Sequence, residues 1–111
     1  MNRLERRAGF RIQESLPFKI GHQGYDIEAE TVNISVNGAM CRVERDIPAM
    51  TQLSVGLKLS SAKTISAKGV VVRSQKDPRS TDYLIAIYFN DIRSKDQNFL
   101  QDYIASRMKG Q

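Results

Sequence analysis

Leu53, Val55, Leu57 and Leu59 are separated by Ser54, Gly56 and Lys58. Alternation of this kind puts every apolar side chain on one face of an extended strand and none on a helical stripe. It commits this part of the chain to a half-buried sheet. Five further segments read as strands. Leu16, Phe18 and Ile20 alternate with Lys19, and Pro17 marks a strand start or an edge because it cannot donate to the ladder. Tyr25 to Ile34 changes parity midway: Tyr25, Ile27 and Ala29 share one face, Val32 and Ile34 the other. A strand that switches faces needs a bulge or a bend, as strands curling into a barrel do. Ala39, Cys41 and Val43 alternate with Met40, Arg42 and Glu44. Ile65 to Arg73 follows, with Gly69 as a bend or a site of close approach. Tyr83 to Phe89 is almost wholly apolar and reads as a strand covered on both faces.

The connections carry turn chemistry. Gly21-His22-Gln23-Gly24 is a turn by composition, and Asn37-Gly38 is the strongest short turn signal, expected as a type I′ turn with positive φ at both residues. Asp46-Ile47-Pro48-Ala49 breaks the third strand. Ser60 to Lys63 is a hairpin connection, and Gln75 to Ser80 a polar loop. The period then changes. Ser94 and Gln97 have capping-box spacing, and Phe99, Leu100, Tyr103 and Ile104 form a helical stripe away from Gln101, Asp102 and Ser106, with Gly110 to end the helix. Six short strands and one terminal helix predict antiparallel β, closed or nearly closed.

A chain of 111 residues is one domain by size and can bury a core without metal or disulfide. Cys41 is the only cysteine, so no internal disulfide forms, and it reads as a small apolar strand residue. The formal charge of +5 calls for an anionic partner without choosing among nucleotide, nucleic acid and membrane. No segment has signal-peptide or transmembrane character, which sets a cytoplasmic expectation without membrane insertion. His22, the only histidine, falls in a turn; neither a metal cluster nor a catalytic constellation is legible, so neither catalysis nor a cofactor is expected.

The basic charge gathers at one end. Arg3, Arg6, Arg7 and Arg11 lie within nine residues, with Glu5 the one acidic neighbour. Alone, such a block is as well read as a solvated tail. It is followed by Thr-Val-Asn-Ile-Ser-Val-Asn-Gly-Ala-Met from Thr31 to Met40. The spaced pair Arg7-x-x-x-Arg11 followed by Asn33-x-Ser35-x-x-Gly38 resembles the PilZ domain, a bacterial module whose best-known ligand is cyclic di-GMP. The similarity runs over almost the whole chain. It implies a six-stranded antiparallel β-barrel with a C-terminal α-helix, divided into a flexible arginine-rich arm (1–15), barrel (16–90) and helix (91–111).

Two guanines on a ring with two phosphates need cations, donors for O6 and N7, and acceptors for N1–H and N2–H2. Arginine supplies the first two, since its fork grips a phosphate or a guanine edge and its plane stacks on a base. Asn33 offers amide acceptor and donor, Ser35 a hydroxyl on the same face, and Gly38 positive φ or room for a ligand plane. The resemblance implicates Arg6, Arg7, Arg11, Asn33, Ser35 and Gly38, with Arg6 stacking on or neutralising a second ligand molecule. Turn chemistry is the competing reading of Asn33 and Ser35, whose short side chains can fold back on their own backbone. The chain departs from the family's common pattern at Ala49-Met50-Thr51-Gln52, where many members carry Gly-Asp, and at Ala86, often glycine; both bear on loop shape.

The expected function is a cyclic di-GMP receptor that acts through an unidentified downstream protein in motility, attachment or exopolysaccharide control. Two alternatives stand beside it. One is a module of the same fold that signals by protein contact without the nucleotide. The other is a small basic nucleic-acid-binding barrel, disfavoured because the arginines sit on the arm while Tyr83, Tyr88 and Phe89 fall in a strand that reads as buried.

Overall fold

The computed structural model describes residues 11–109. Six strands, β1 (Pro17–His22), β2 (Tyr25–Ser35), β3 (Gly38–Val43), β4 (Gln52–Ser60), β5 (Lys63–Lys76) and β6 (Tyr83–Ile92), precede one helix, α1 (Ser94–Lys109). They close into an antiparallel barrel in the order β1-β2-β3-β6-β5-β4, with β4 returning to β1. The alternation of β4 survives intact: Leu53, Val55, Leu57 and Leu59 are all buried and the residues between them are not.

β2 carries the expected face switch. Its register against β3 slips between Thr31 and Asn33, so Thr31 faces inward before the bulge and Ile34 after it. Gly69 bends β5 as expected, at a register shift after Lys68, and also lets β6 come close: a Cβ there would lie 2.7 Å from Ile87 Cγ2 and 2.9 Å from the Tyr88 carbonyl oxygen. Cys41 is fully buried, and burial pushes its thiol up from the ordinary 9.0 to about 12, an inert apolar filler at neutral pH.

Several expectations need correction. The left-handed pair sits at Gln23 (φ 50°) and Gly24 (φ 83°), which turn β1 into β2. Asn37-Gly38 is not a type I′ turn, for neither residue has positive φ. The chain turns one residue earlier, at Val36 and Asn37, and Gly38 already pairs with Ser35 on one side and Tyr88 on the other. β6 is covered on one face only. Ile85, Ile87 and Phe89 are buried, Leu84 and Ala86 half-buried, and Tyr88 is 49% exposed, because its second face is the outside of the barrel. β5 runs on through Gln75 and Lys76, so the polar loop shrinks to a turn after Asp77.

The capping box does not form. The first helical bond runs from the Gln97 N–H to the Arg93 carbonyl, which puts Arg93 rather than Ser94 at the cap. Asp96, buried in the first turn, instead accepts the Ser66 N–H at 3.2 Å and pairs with Lys63 at 3.7 Å, pinning α1 to β5. Leu100 and Ile104 join the core, while Phe99 stays 45% exposed under the Lys63 ammonium at 4.5 Å. The expected helix stop at Gly110 lies outside the described residues.

In the turn where the related pattern carries Gly-Asp, Met50 is 77% exposed and held at φ 74°. An L-residue in the left-handed region costs roughly 1–2 kcal/mol, part of which glycine returns through its looser unfolded chain. Met50→Gly is expected to raise stability by about 0.5–1 kcal/mol in urea titration. A loss of stability would mean that the Met50 side chain contributes contacts its exposure does not suggest.

Candidate functional site

The site begins where the amino-terminal segment meets β2. Ile12 is the first apolar residue after the arginines and phenylalanine of the arm, and it is buried. Its N–H donates to the Ile34 carbonyl at 2.9 Å, and the Ile34 N–H returns a bond at 3.0 Å, a one-residue antiparallel bridge. Downstream, the buried Thr31 hydroxyl accepts the Leu16 N–H at 2.8 Å and donates to the Glu14 carbonyl at 2.6 Å. The Glu14 side chain reaches α1, accepting from the Tyr103 hydroxyl at 2.6 Å and facing Arg107 Nε at 2.7 Å. Burial and this carboxylate together raise the Tyr103 pKa. Residues 11–16 are therefore strapped to β2 and α1. Of the expected arm (1–15), residues 1–10, Arg6 and Arg7 among them, lie outside the described residues.

This strap brings the two sequence motifs together. Arg11 Nη1 donates to Asn33 Oδ1 at 2.7 Å across twenty-two positions of sequence. Asn33 and Ser35 share the face of β2 opposite to buried Ile34, so neither side chain enters the hydrophobic core. Their situations differ, however. Asn33 is half-buried at the rim beside an exposed Arg11. Ser35 is 1% exposed, and its hydroxyl accepts the Asn37 N–H at 3.2 Å and makes a long bond to the Gly38 carbonyl at 3.4 Å. The turn chemistry that competes for these residues thus holds Ser35 and not Asn33.

Gly38 is needed for a reason unlike either expected one. A Cβ there would sit 2.1 Å from the Ile87 carbonyl oxygen and 3.2 Å from Tyr88 Cα. The glycine lets β3 and β6 approach, while the neighbouring Asn37 carbonyl accepts the Phe89 N–H at 2.8 Å. Ile12, Glu14 and Thr31 were missed from sequence. Thr31 has the right parity for an inward residue before the bulge, but nothing local reveals that its partners are Glu14 and Leu16.

The family model for the PilZ domain matches residues 5–106. The chain belongs to the PilZ domain family. Comparison with curated proteins finds no match. Among solved structures, the inhibitor of motility MotI/DgrA from Bacillus subtilis superposes with a TM-score of 0.82 at 22% identity, covering 91% of this chain and 50% of that one. This PilZ chain therefore spans about half the length of that protein. The PilZ domain of YcgR from Escherichia coli, solved with c-di-GMP, gives 0.68 at 13% identity, covering 91% and 90%. PlzA from Borreliella burgdorferi, in complex with c-di-GMP, gives 0.65 at 12% identity, covering 96% and 54%. At these identities the structures speak for the PilZ fold. Among the described residues no group of His, Cys, Asp and Glu is arranged to hold a metal, and no helix is long and apolar enough to cross a membrane.

Thr31 ties the segment that follows Arg11 to β2 through Glu14 and Leu16. Thr31→Val keeps the shape but leaves the Leu16 N–H and Glu14 carbonyl unpaired in a partly buried place, a cost of about 1–3 kcal/mol. The expected result is a lower urea midpoint, with the Ile12 amide losing protection in hydrogen exchange before the barrel amides do. Unchanged Ile12 protection would show that the strap holds without the threonine.

Proposed function

We propose that this PilZ chain is a cyclic di-GMP receptor that gathers the nucleotide between its arginine segment and the β2–β3 rim. In this reading Arg6, Arg7 and Arg11 take phosphate and guanine edges, and Asn33 takes the guanine N–H groups. Ser35 and Gly38 act mainly by building the rim on which Asn33 stands. The observation that carries the reading is the 2.7 Å bond from Arg11 to Asn33, since it joins two motifs far apart in sequence at one place on the surface.

Both partners of that bond are groups that the nucleotide also wants: a guanidinium for anion or guanine, and an amide oxygen for guanine donors. Ligand entry would exchange this bond for two ligand contacts. Any shift of the segment passes to α1 through Glu14, Tyr103 and Arg107, and the ligand can bias it only by its difference in affinity for the two arrangements. Output goes through a downstream protein, with motility, attachment and exopolysaccharide production as the processes such a receptor serves. Calorimetric titration with cyclic di-GMP, beside cyclic di-AMP and GTP, tests the proposal. Saturable heat for the guanine dinucleotide alone supports it; no heat leaves the fold acting by protein contact only.

A further inference from the structure

β2 is longer than the strand beside it. Its pairing with β3 ends at Glu30↔Arg42, yet it continues back through Tyr25 along β1. Among the described residues, Tyr25–Ala29 have a strand neighbour on the β1 side only. The two-residue turn at Gln23 and Gly24 makes His22 and Tyr25 a hydrogen-bonded pair. Alternation from there directs Ile27 and Ala29 toward β1 and turns the main-chain N–H and C=O of Asp26 and Glu28 the other way. Those groups face a groove of about 760 Å³ between this half of β2 and the end of β3.

The groove has a sign. Five carboxylates line it (Asp26, Glu28, Glu30, Glu44 and Asp82) against Arg42 and Arg45. Arg42 is already turned to Asp77 at 3.5 Å, and Glu28 and Glu30 are partly engaged by Lys19 at 3.8 Å and by the Ser15 hydroxyl at 2.5 Å. This is an acidic strip on a chain whose formal charge is +5. An unpaired edge invites another strand, and charges on it select which. Pairing with the same edge of a second copy would set like charges opposite one another. A basic strand meets opposite charge at each outward position.

We propose that the Tyr25–Ala29 edge of β2 captures an extended segment of a partner protein, with lysine or arginine at alternate positions, by strand addition. Backbone bonds to Asp26 and Glu28 hold it, and the carboxylates choose its side chains. Its contact residues Asp26 and Glu28 lie seven and five residues along β2 from Asn33, roughly 23 and 17 Å at strand rise, so the edge stands apart from the nucleotide reading.

The test is amide NMR on the full chain. In the free protein the Asp26 and Glu28 amides should exchange quickly, while those of Tyr25 and Ile27 are protected. A short capped peptide of alternating lysine and valine should shift and protect Asp26 and Glu28. The glutamate–valine peptide should bind on the order of tenfold more weakly, given several rim ion pairs of small individual worth. The lysine–valine peptide N-methylated at alternate residues should not protect these amides. Asp26→Lys combined with Glu28→Lys should reverse the charge preference. Amides already protected in the free chain, absent or scattered shifts, or indifference to peptide charge or N-methylation would each overturn the proposal, whether or not cyclic di-GMP binds.

Discussion

Gly38→Ala is expected to cost about 3 kcal/mol of stability, a fall of roughly 10–20 °C in Tm for a domain of this size. The new methyl would meet the Ile87 carbonyl oxygen at 2.1 Å and Tyr88 Cα at 3.2 Å. Both are backbone atoms, so no side chain can swing aside. β3 and β6 must separate at the point where Asn37 accepts the Phe89 N–H, and a strained bond there adds to the overpacking. Gly24→Ala is the control. It has nothing within 4 Å and only its φ of 83° to resist substitution, so about 1 kcal/mol is expected. Urea unfolding followed by circular dichroism measures both. A Gly38→Ala chain within 1 kcal/mol of wild type would show that the strands do not need this approach. Where the expected loss of stability is found, lost nucleotide binding in that variant says little about ligand contact, because the rim itself has moved.

Arg7→Ala and Arg11→Ala should each weaken cyclic di-GMP binding by an order of magnitude or more. Each removes a charge-assisted contact of roughly 1.5–3 kcal/mol. Arg11 is exposed, and among the described residues its side chain bonds a half-buried rim amide, so its loss should leave the urea midpoint nearly unchanged. Affinity and stability thereby separate, as they would not for Gly38. Arg11→Lys keeps the charge without the planar fork and should fall between wild type and alanine. Asn33→Ala in the Arg11→Ala background should cost less than the sum of the two single changes, since each residue holds the other in place. Wild-type affinity in both arginine variants would defeat the proposed site.

Much of this architecture was legible because its signals are local. The alternation of β4, the parity switch of β2 and the stripe of Leu100 and Ile104 each depend on residues a few positions apart. The failures also have local causes. Asn37-Gly38 carries a turn signal regardless of register, but the Ser35 hydroxyl takes the Asn37 N–H and turns the chain one residue early. β6 reads as doubly covered because its outer residues are apolar, although Tyr88 faces outward at 49% exposure. Ser94 and Gln97 have capping spacing, yet buried Asp96 turns to Ser66 and Lys63 on β5.

From its sequence alone this chain was determined to be a small β-barrel with a closing helix, carrying an arginine pair and an Asn-x-Ser-x-x-Gly hairpin. Hydrophobic period and motif spacing are written residue by residue. Tertiary structure alone decided that Arg11 meets Asn33, that Thr31 straps the entering segment, that Gly38 serves a strand contact, and that Asp26 and Glu28 border an open edge. Those outcomes depend on cross-strand register, which the bulge after Thr31 and the unequal lengths of β2 and β3 set between residues distant in sequence.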